Sequence, residues 1–103
     1  MRKKIPSRKA LAEELVIEAH KRIFGQGLVK YGDFCPKTDT RVLTVEAQQE
    51  ALDIWAYIAE FFYKKYPHLR KKTENVRALT LSLYIALREL EEVERAEMKR
   101  TRK

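Results

Sequence analysis

Glycine and proline are scarce, three of each in 103 residues, which leaves few of the residues that tight hairpin turns demand. No stretch alternates apolar and polar residues as a half-buried strand does. The lone Cys35 cannot close an intramolecular disulfide and has no Cys or His neighbour at metal-binding spacing. That argues against a zinc site, agrees with a reducing compartment, and reads as a small, partly buried thiol. No apolar run approaches the roughly 20 residues needed to cross a bilayer. Met1 to Lys9 also lacks the apolar stretch of a secretory leader, so the expectation is a cytoplasmic protein without a membrane segment. What is present, 45% hydrophobic and 36% charged residues, is the composition of a folded, helix-rich chain.

The formal charge is +7, and the excess is uneven. It gathers in MRKKIPSRK at the start, in KK and RKK around Pro67, and in KRTRK at the end, while the middle is nearly balanced. Such a distribution attracts nucleic acid or the phosphates of a small anionic substrate, and equally suits solvated tails that keep a protein soluble. One domain spanning residues 1–103 is expected, with 1–7 and 100–103 as mobile basic tails.

Hydrophobic spacing predicts three main helices. Ser7 can cap the first, whose Leu11, Ala12, Leu15, Val16, Ala19 and Ile23 recur at intervals of three and four and which should stop at Gly25 or Gly27. Residues 28–43 break the pattern with turn-forming Gly32, Asp33, Pro36, Thr38, Asp39 and Thr40, a loop long enough to suggest a functional or crossover segment. Thr44 reads as the cap of a second helix with the apolar set Ala47, Ala51, Ile54, Trp55, Ile58, Phe61 and Phe62, ended by Pro67. Within that stripe Trp55 reads as core. A third helix begins near Thr73, a second capping candidate, and its Val76, Leu79, Leu83, Ala86, Leu90 and Val93 predict a seam against a long partner helix. Further apolar residues at Leu81, Tyr84, Ile85 and Leu87 widen its buried face beyond one stripe. The expected architecture is all-α, a bundle of three main helices completed by association with other copies.

Against this pattern, three carboxylates stand out. Glu46, Glu50 and Asp53 lie at i, i+4 and i+7 of the second helix and so share one flank, beside the apolar stripe, with Tyr57 a turn further on. On the first helix Glu14 and Glu18 are also one turn apart. Were the two acidic flanks to face each other, the repulsion among them would call for a hard divalent cation or for protonation. The plainer alternative is that these are boundary residues paired with nearby Lys or Arg. His20 and His68 lack partners at ligand spacing and read as surface residues.

The ordered set EEL…E in the first helix, KYGD at Lys30 to Asp33 and E…EALD at Glu46 to Asp53 resembles the MazG-like all-α nucleotide pyrophosphohydrolases, in particular their short single-domain forms. The resemblance covers roughly Leu11 to Tyr66. Glu50-Ala-Leu-Asp53 matches the family's E-x-x-D, whereas Glu14 and Glu18 are four apart instead of three, with Glu13 as an alternative on another face. The resemblance implies a Mg2+ cofactor, or Mn2+, held by Glu14, Glu18, Glu46, Glu50 and Asp53, with Glu18, Glu50 and Asp53 at the catalytic centre. It implies a nucleoside triphosphate substrate split into monophosphate and pyrophosphate. Lys30, Lys37 and Arg41 would then hold phosphate oxygens, Tyr31 or Trp55 would stack on the base, and Tyr57 would donate to a carboxylate or sugar hydroxyl. It also implies a homo-oligomer, dimer or tetramer. The competing reading is a non-enzymatic helical protein that binds nucleic acid through its basic segments, YKKYPHLRKK above all, or docks a protein partner on its third helix.

Overall fold

The computed structural model describes residues 5–23, 25 and 35–101, which are helical and turn-forming throughout and contain no strand. The fold is all-α. Among the described residues no helix is long and apolar enough to cross a membrane. The chain forms two compact units, Met1–Asp39 and Thr40–Lys103.

In the first unit, α1 spans Arg8–Arg22. The Ser7 hydroxyl accepts the Ala10 N–H at 3.1 Å and the Ser7 carbonyl accepts the Leu11 N–H at 3.0 Å, so the expected cap is in place. His20, Lys21 and Arg22 occupy the last turn, where positive charge suits the helix dipole. The α-helical stretch ends before the predicted glycines. Ile23 donates to the Ala19 and His20 carbonyls, and Ile23 and Gly25 carry on in wider π-type turns, while Gly27 lies outside the described residues. Every described side chain of α1 is exposed, Leu15 by 70%.

A tight turn follows at Cys35, whose carbonyl accepts the N–H groups of Thr38 and Asp39 at 3.1 and 3.0 Å. The partly buried thiol expected at Cys35 is instead exposed, because the residue opens a surface turn. The Thr38 side chain, then the backbone N–H groups of Lys37 and Thr38, lower its pKa.

The second unit is a helical hairpin. Its first arm, α2, is α-helical over Leu43–Trp55, widens to a π-helix over Ala56–Phe62 and returns to α over Tyr63–Lys65. Backbone angles at both junctions stay helical, so the arm runs unbroken over residues 43–65. Tyr66, at φ −131° and ψ 68°, leaves the helix. Pro67, which cannot supply the next helical N–H, starts a 3-10 stretch over Pro67–Thr73. The second arm, α3, is Glu74–Thr101.

The arms are antiparallel. Thr44 meets Glu94, while Gln48 meets the Leu87 carbonyl and Glu91. Ala51, 2% exposed, is the one buried hydrophobic residue among those described; its small side chain lets the backbones approach. The inward positions are Thr73, just before α3, and Arg77, Thr80, Tyr84, Leu87, Glu91, Glu94 and Met98 on it, all buried or half-buried. They are spaced alternately four and three, the heptad of a helix pair. The seam expected from Val76, Leu79, Leu83, Ala86, Leu90 and Val93 is therefore not the one the hairpin uses: each of these lies one residue earlier and is exposed. One residue is a rotation of about 100°, so α3 carries two three-four registers side by side, and the polar one turns inward.

That inward register is held by hydrogen bonds. The Glu94 carboxylate accepts the Leu43 and Thr44 N–H groups at 2.6 and 2.7 Å and the Thr44 hydroxyl at 2.5 Å. Thr44 thus sits inside the first turn of α2 instead of capping it, and the cap arrives from the far arm. Thr73 precedes α3 as expected, but its hydroxyl donates back to the Arg70 carbonyl at 2.7 Å. Trp55 is 37% exposed and Ile54 41%, so the stripe read as core on α2 is only partly buried.

Candidate functional site

The acidic flank of α2 has the predicted form. Glu46, Glu50 and Asp53 are exposed, one helical turn apart, and among the described residues none of the three carboxylates makes a hydrogen bond or ion pair. The rise from Glu46 to Asp53 is roughly 10.5 Å, whereas a magnesium ion reaches its ligands at about 2.0–2.1 Å. Adjacent members of the set can share one ion and the outer two cannot. Consistent with this, no group of three or more His, Cys, Asp or Glu that could hold a metal is gathered among the described residues. Tyr57 continues the flank, 66% exposed, with its ring edge-on to Phe61 at 6.0 Å.

The remaining candidates fall elsewhere. Glu14 and Glu18 belong to the first unit and are exposed. Glu18 accepts from Lys21 at 3.2 Å, both side chains being more than half exposed, a pairing that contributes little to stability. Lys37 is exposed in the Cys35 turn, and Arg41, half-buried, is engaged with a neighbour. Lys30, Tyr31 and Asp33 lie outside the described residues. His20 and His68 are exposed, as expected.

Two features escaped the sequence reading. The first is Glu91 and Glu94, carboxylates turned into the hairpin. Glu91 accepts from Gln48 Nε2 at 2.9 Å and from Arg95 Nε at 2.6 Å. The Gln48 bond, then the Arg95 bond, hold its pKa below the ordinary carboxylate value. At Glu94 burial pushes the pKa up, but the Thr44 hydroxyl and the Thr44 and Leu43 N–H groups together outweigh it, and the net shift is downward. The signal for both was the second heptad register, masked by the more apolar one beside it.

The second is a cavity of about 220 Å³ at the hairpin tip, lined by Ala59, Glu60, Tyr63, Arg70, Thr73 and Arg77. The Arg70 guanidinium lies over the Tyr63 ring at 5.1 Å. Arg77 Nε is buried without a hydrogen-bond partner. A buried unmet N–H is costly, and beside a second arginine it marks a place where an anionic oxygen would be stabilised. The tip also carries Lys64, Lys65, Lys71 and Lys72, all exposed.

Compared with known proteins, the chain matches no family model, no curated protein and no solved structure.

Proposed function

We propose that this chain is a magnesium-dependent nucleoside triphosphate pyrophosphohydrolase that assembles from more than one copy. The observation that carries the reading is the flank of Glu46, Glu50 and Asp53: three adjacent carboxylates, open to solvent and without partners among the described residues. The resemblance of its EALD segment to the MazG-like family supports it. Oxygen-only donors at one-turn spacing fit a hard ion such as Mg2+ or Mn2+. Glu50 with Asp53, or with Glu46, would hold it. When bound, such an ion neutralises triphosphate charge and lowers the pKa of a coordinated water. The chain's own part is to accept the proton of the attacking water at a carboxylate oxygen. Arg41 would bind phosphate oxygens, and Tyr57 would donate to the sugar or to an acid.

The test is a magnesium titration followed by thermal melting, together with pyrophosphate release from the common ribo- and deoxyribonucleoside triphosphates. Magnesium is expected to raise the melting temperature and support turnover. Glu50→Gln and Asp53→Asn are expected to abolish both while leaving helicity unchanged. No pyrophosphate from any triphosphate, with no metal-dependent shift, would overturn the reading.

A specific observation favours a second reading, phosphate-backbone binding at the hairpin tip: Arg70 and Arg77 converge on one cavity and Arg77 Nε is unmet. Lysine and arginine there would neutralise phosphates without reading sequence.

A further inference from the structure

Three segments of the second unit build the cavity at the hairpin tip. Glu60 comes from the π-type stretch of α2, Arg70 from the 3-10 stretch after Pro67, and Arg77 from the first turn of α3. Each arginine is held in its own way. The Arg70 guanidinium lies over the Tyr63 ring, which favours one plane for it. Arg77 is half-buried, and its Nε is shut off from solvent without a hydrogen-bond partner among the described residues. Among those residues no ion pair joins Glu60 to either arginine. Two guanidiniums and a carboxylate that border one space without neutralising each other call for a ligand that is both an anion and a hydrogen-bond donor.

We propose that the tip cavity takes the terminal phosphomonoester of a nucleic-acid strand, with Arg70 and Arg77 on its oxygens and Glu60 accepting its P–OH. This rests on the second reading above, phosphate binding at the tip, and narrows it from the backbone to the strand end.

Three features select an end. The first is size. The cavity holds about 220 Å³, less than the ~300–1,000 Å³ of sites that enclose a drug-sized ligand, so it admits a phosphate group and leaves the rest of the ligand outside. A phosphate within a strand carries a sugar on both sides and lies only across the mouth, whereas an end enters first. The second is the donor. A backbone diester has no P–OH, so Glu60 would meet only like charge. A monoester keeps a proton that it loses near a pKa of about 6 and can offer it to the carboxylate. Two guanidiniums against one carboxylate leave one positive charge, which the singly protonated monoester balances. The third is the setting. Lys64, Lys65, Lys71 and Lys72 are exposed near the tip and can hold the phosphates that follow the end, which favours a strand over a small phosphate ester or a phosphopeptide.

The test is fluorescence anisotropy of the full chain, at fixed ionic strength, with one internally labelled single-stranded DNA phosphorylated at its 5′ end, at its 3′ end or at neither. A phosphorylated strand is expected to bind about tenfold tighter than the unphosphorylated one, the worth of one charge-assisted hydrogen bond. Inorganic phosphate is expected to remove that preference and leave binding of the unphosphorylated strand in place. Arg77→Met is expected to bind all three strands with the wild-type affinity for the unphosphorylated one. Should Arg77→Met fail to fold, the exposed Arg70→Met carries the same expectation. Equal wild-type affinity for the three strands would overturn the proposal and leave the tip as a backbone site, while no binding of any strand would overturn the second reading with it. A preference that persists in a folded Arg77→Met or Arg70→Met would also overturn it. So would an unphosphorylated RNA that binds as tightly as the phosphorylated DNA, which would assign Glu60 to a ribose hydroxyl, or a phosphoserine peptide that does so.

Discussion

Glu94 joins the two arms through one carboxylate. Its two oxygens take up the Leu43 and Thr44 N–H groups that α2 would otherwise leave unmet, and the Thr44 hydroxyl as well. Negative charge there also opposes the positive end of the α2 dipole. Losing such a cap costs about 1–2 kcal/mol, so Glu94→Ala should lower unfolding stability by that amount in a urea titration at neutral pH. The pH dependence follows from the sign of the shift. The folded-state pKa of Glu94 is lowered, so the stabilisation is complete above the unfolded carboxylate value of about 4.3. It is lost as pH falls through the folded value. The stability gap between wild type and Glu94→Gln should therefore be steady from pH 7 down to about 5 and shrink below that. A gap that stayed constant into strong acid would show that the carboxylate does not cap α2.

For the helices as elements, burial is concentrated where the arms come closest. Ala51 is 2% exposed between Gln48 and the half-buried Ile58, and a larger side chain there must force the arms apart or leave its rotamer well. Ala51→Leu is expected to cost about 1–3 kcal/mol by overpacking, read as a lower urea midpoint. The exposed Leu52→Ala, one position on, should cost well under that. The existence, type and order of the helices were legible in the sequence, as was the break at Pro67, because each is a local property of spacing, capping and ring chemistry. Which side of α3 turns inward was not. Val76, Leu79, Leu83, Leu90 and Val93 score higher on any apolar count than Arg77, Thr80, Glu91 and Glu94. The polar register wins in the hairpin because Glu91 and Glu94 find partners on α2, a relation between residues some 40 to 50 positions apart that periodicity cannot express. The cap at Thr44 was misjudged for the same reason: the local residue was right for the role, and a distant carboxylate took it.

Across the molecule, the two candidate sites lie at different places along the hairpin. The acids at Glu46, Glu50 and Asp53 were legible because helical spacing alone places them on one flank, whereas the tip cavity was not, because Tyr63, Arg70 and Arg77 meet only once the chain has reversed at Pro67. The two proposed activities make opposite demands on salt. Hydrolysis at a metal-held triphosphate needs few phosphate contacts, while nucleic-acid binding at the tip releases a counterion for each phosphate neutralised. With Lys64, Lys65, Arg70, Lys71 and Lys72 exposed near the hairpin tip, binding of duplex DNA through four or five of them should give a slope of log affinity against log salt of about −4. The double variant Lys71→Glu, Lys72→Glu should make that slope shallower by about 2, without altering the melting response to magnesium. Fluorescence anisotropy with two unrelated duplexes checks this, and equal affinity for both is expected because the contacts go to phosphate. If the double variant leaves DNA binding and its salt slope unchanged, the tip is not the nucleic-acid surface. If it also removes the magnesium response, the acidic flank and the tip are not the independent sites inferred from their separation along the hairpin.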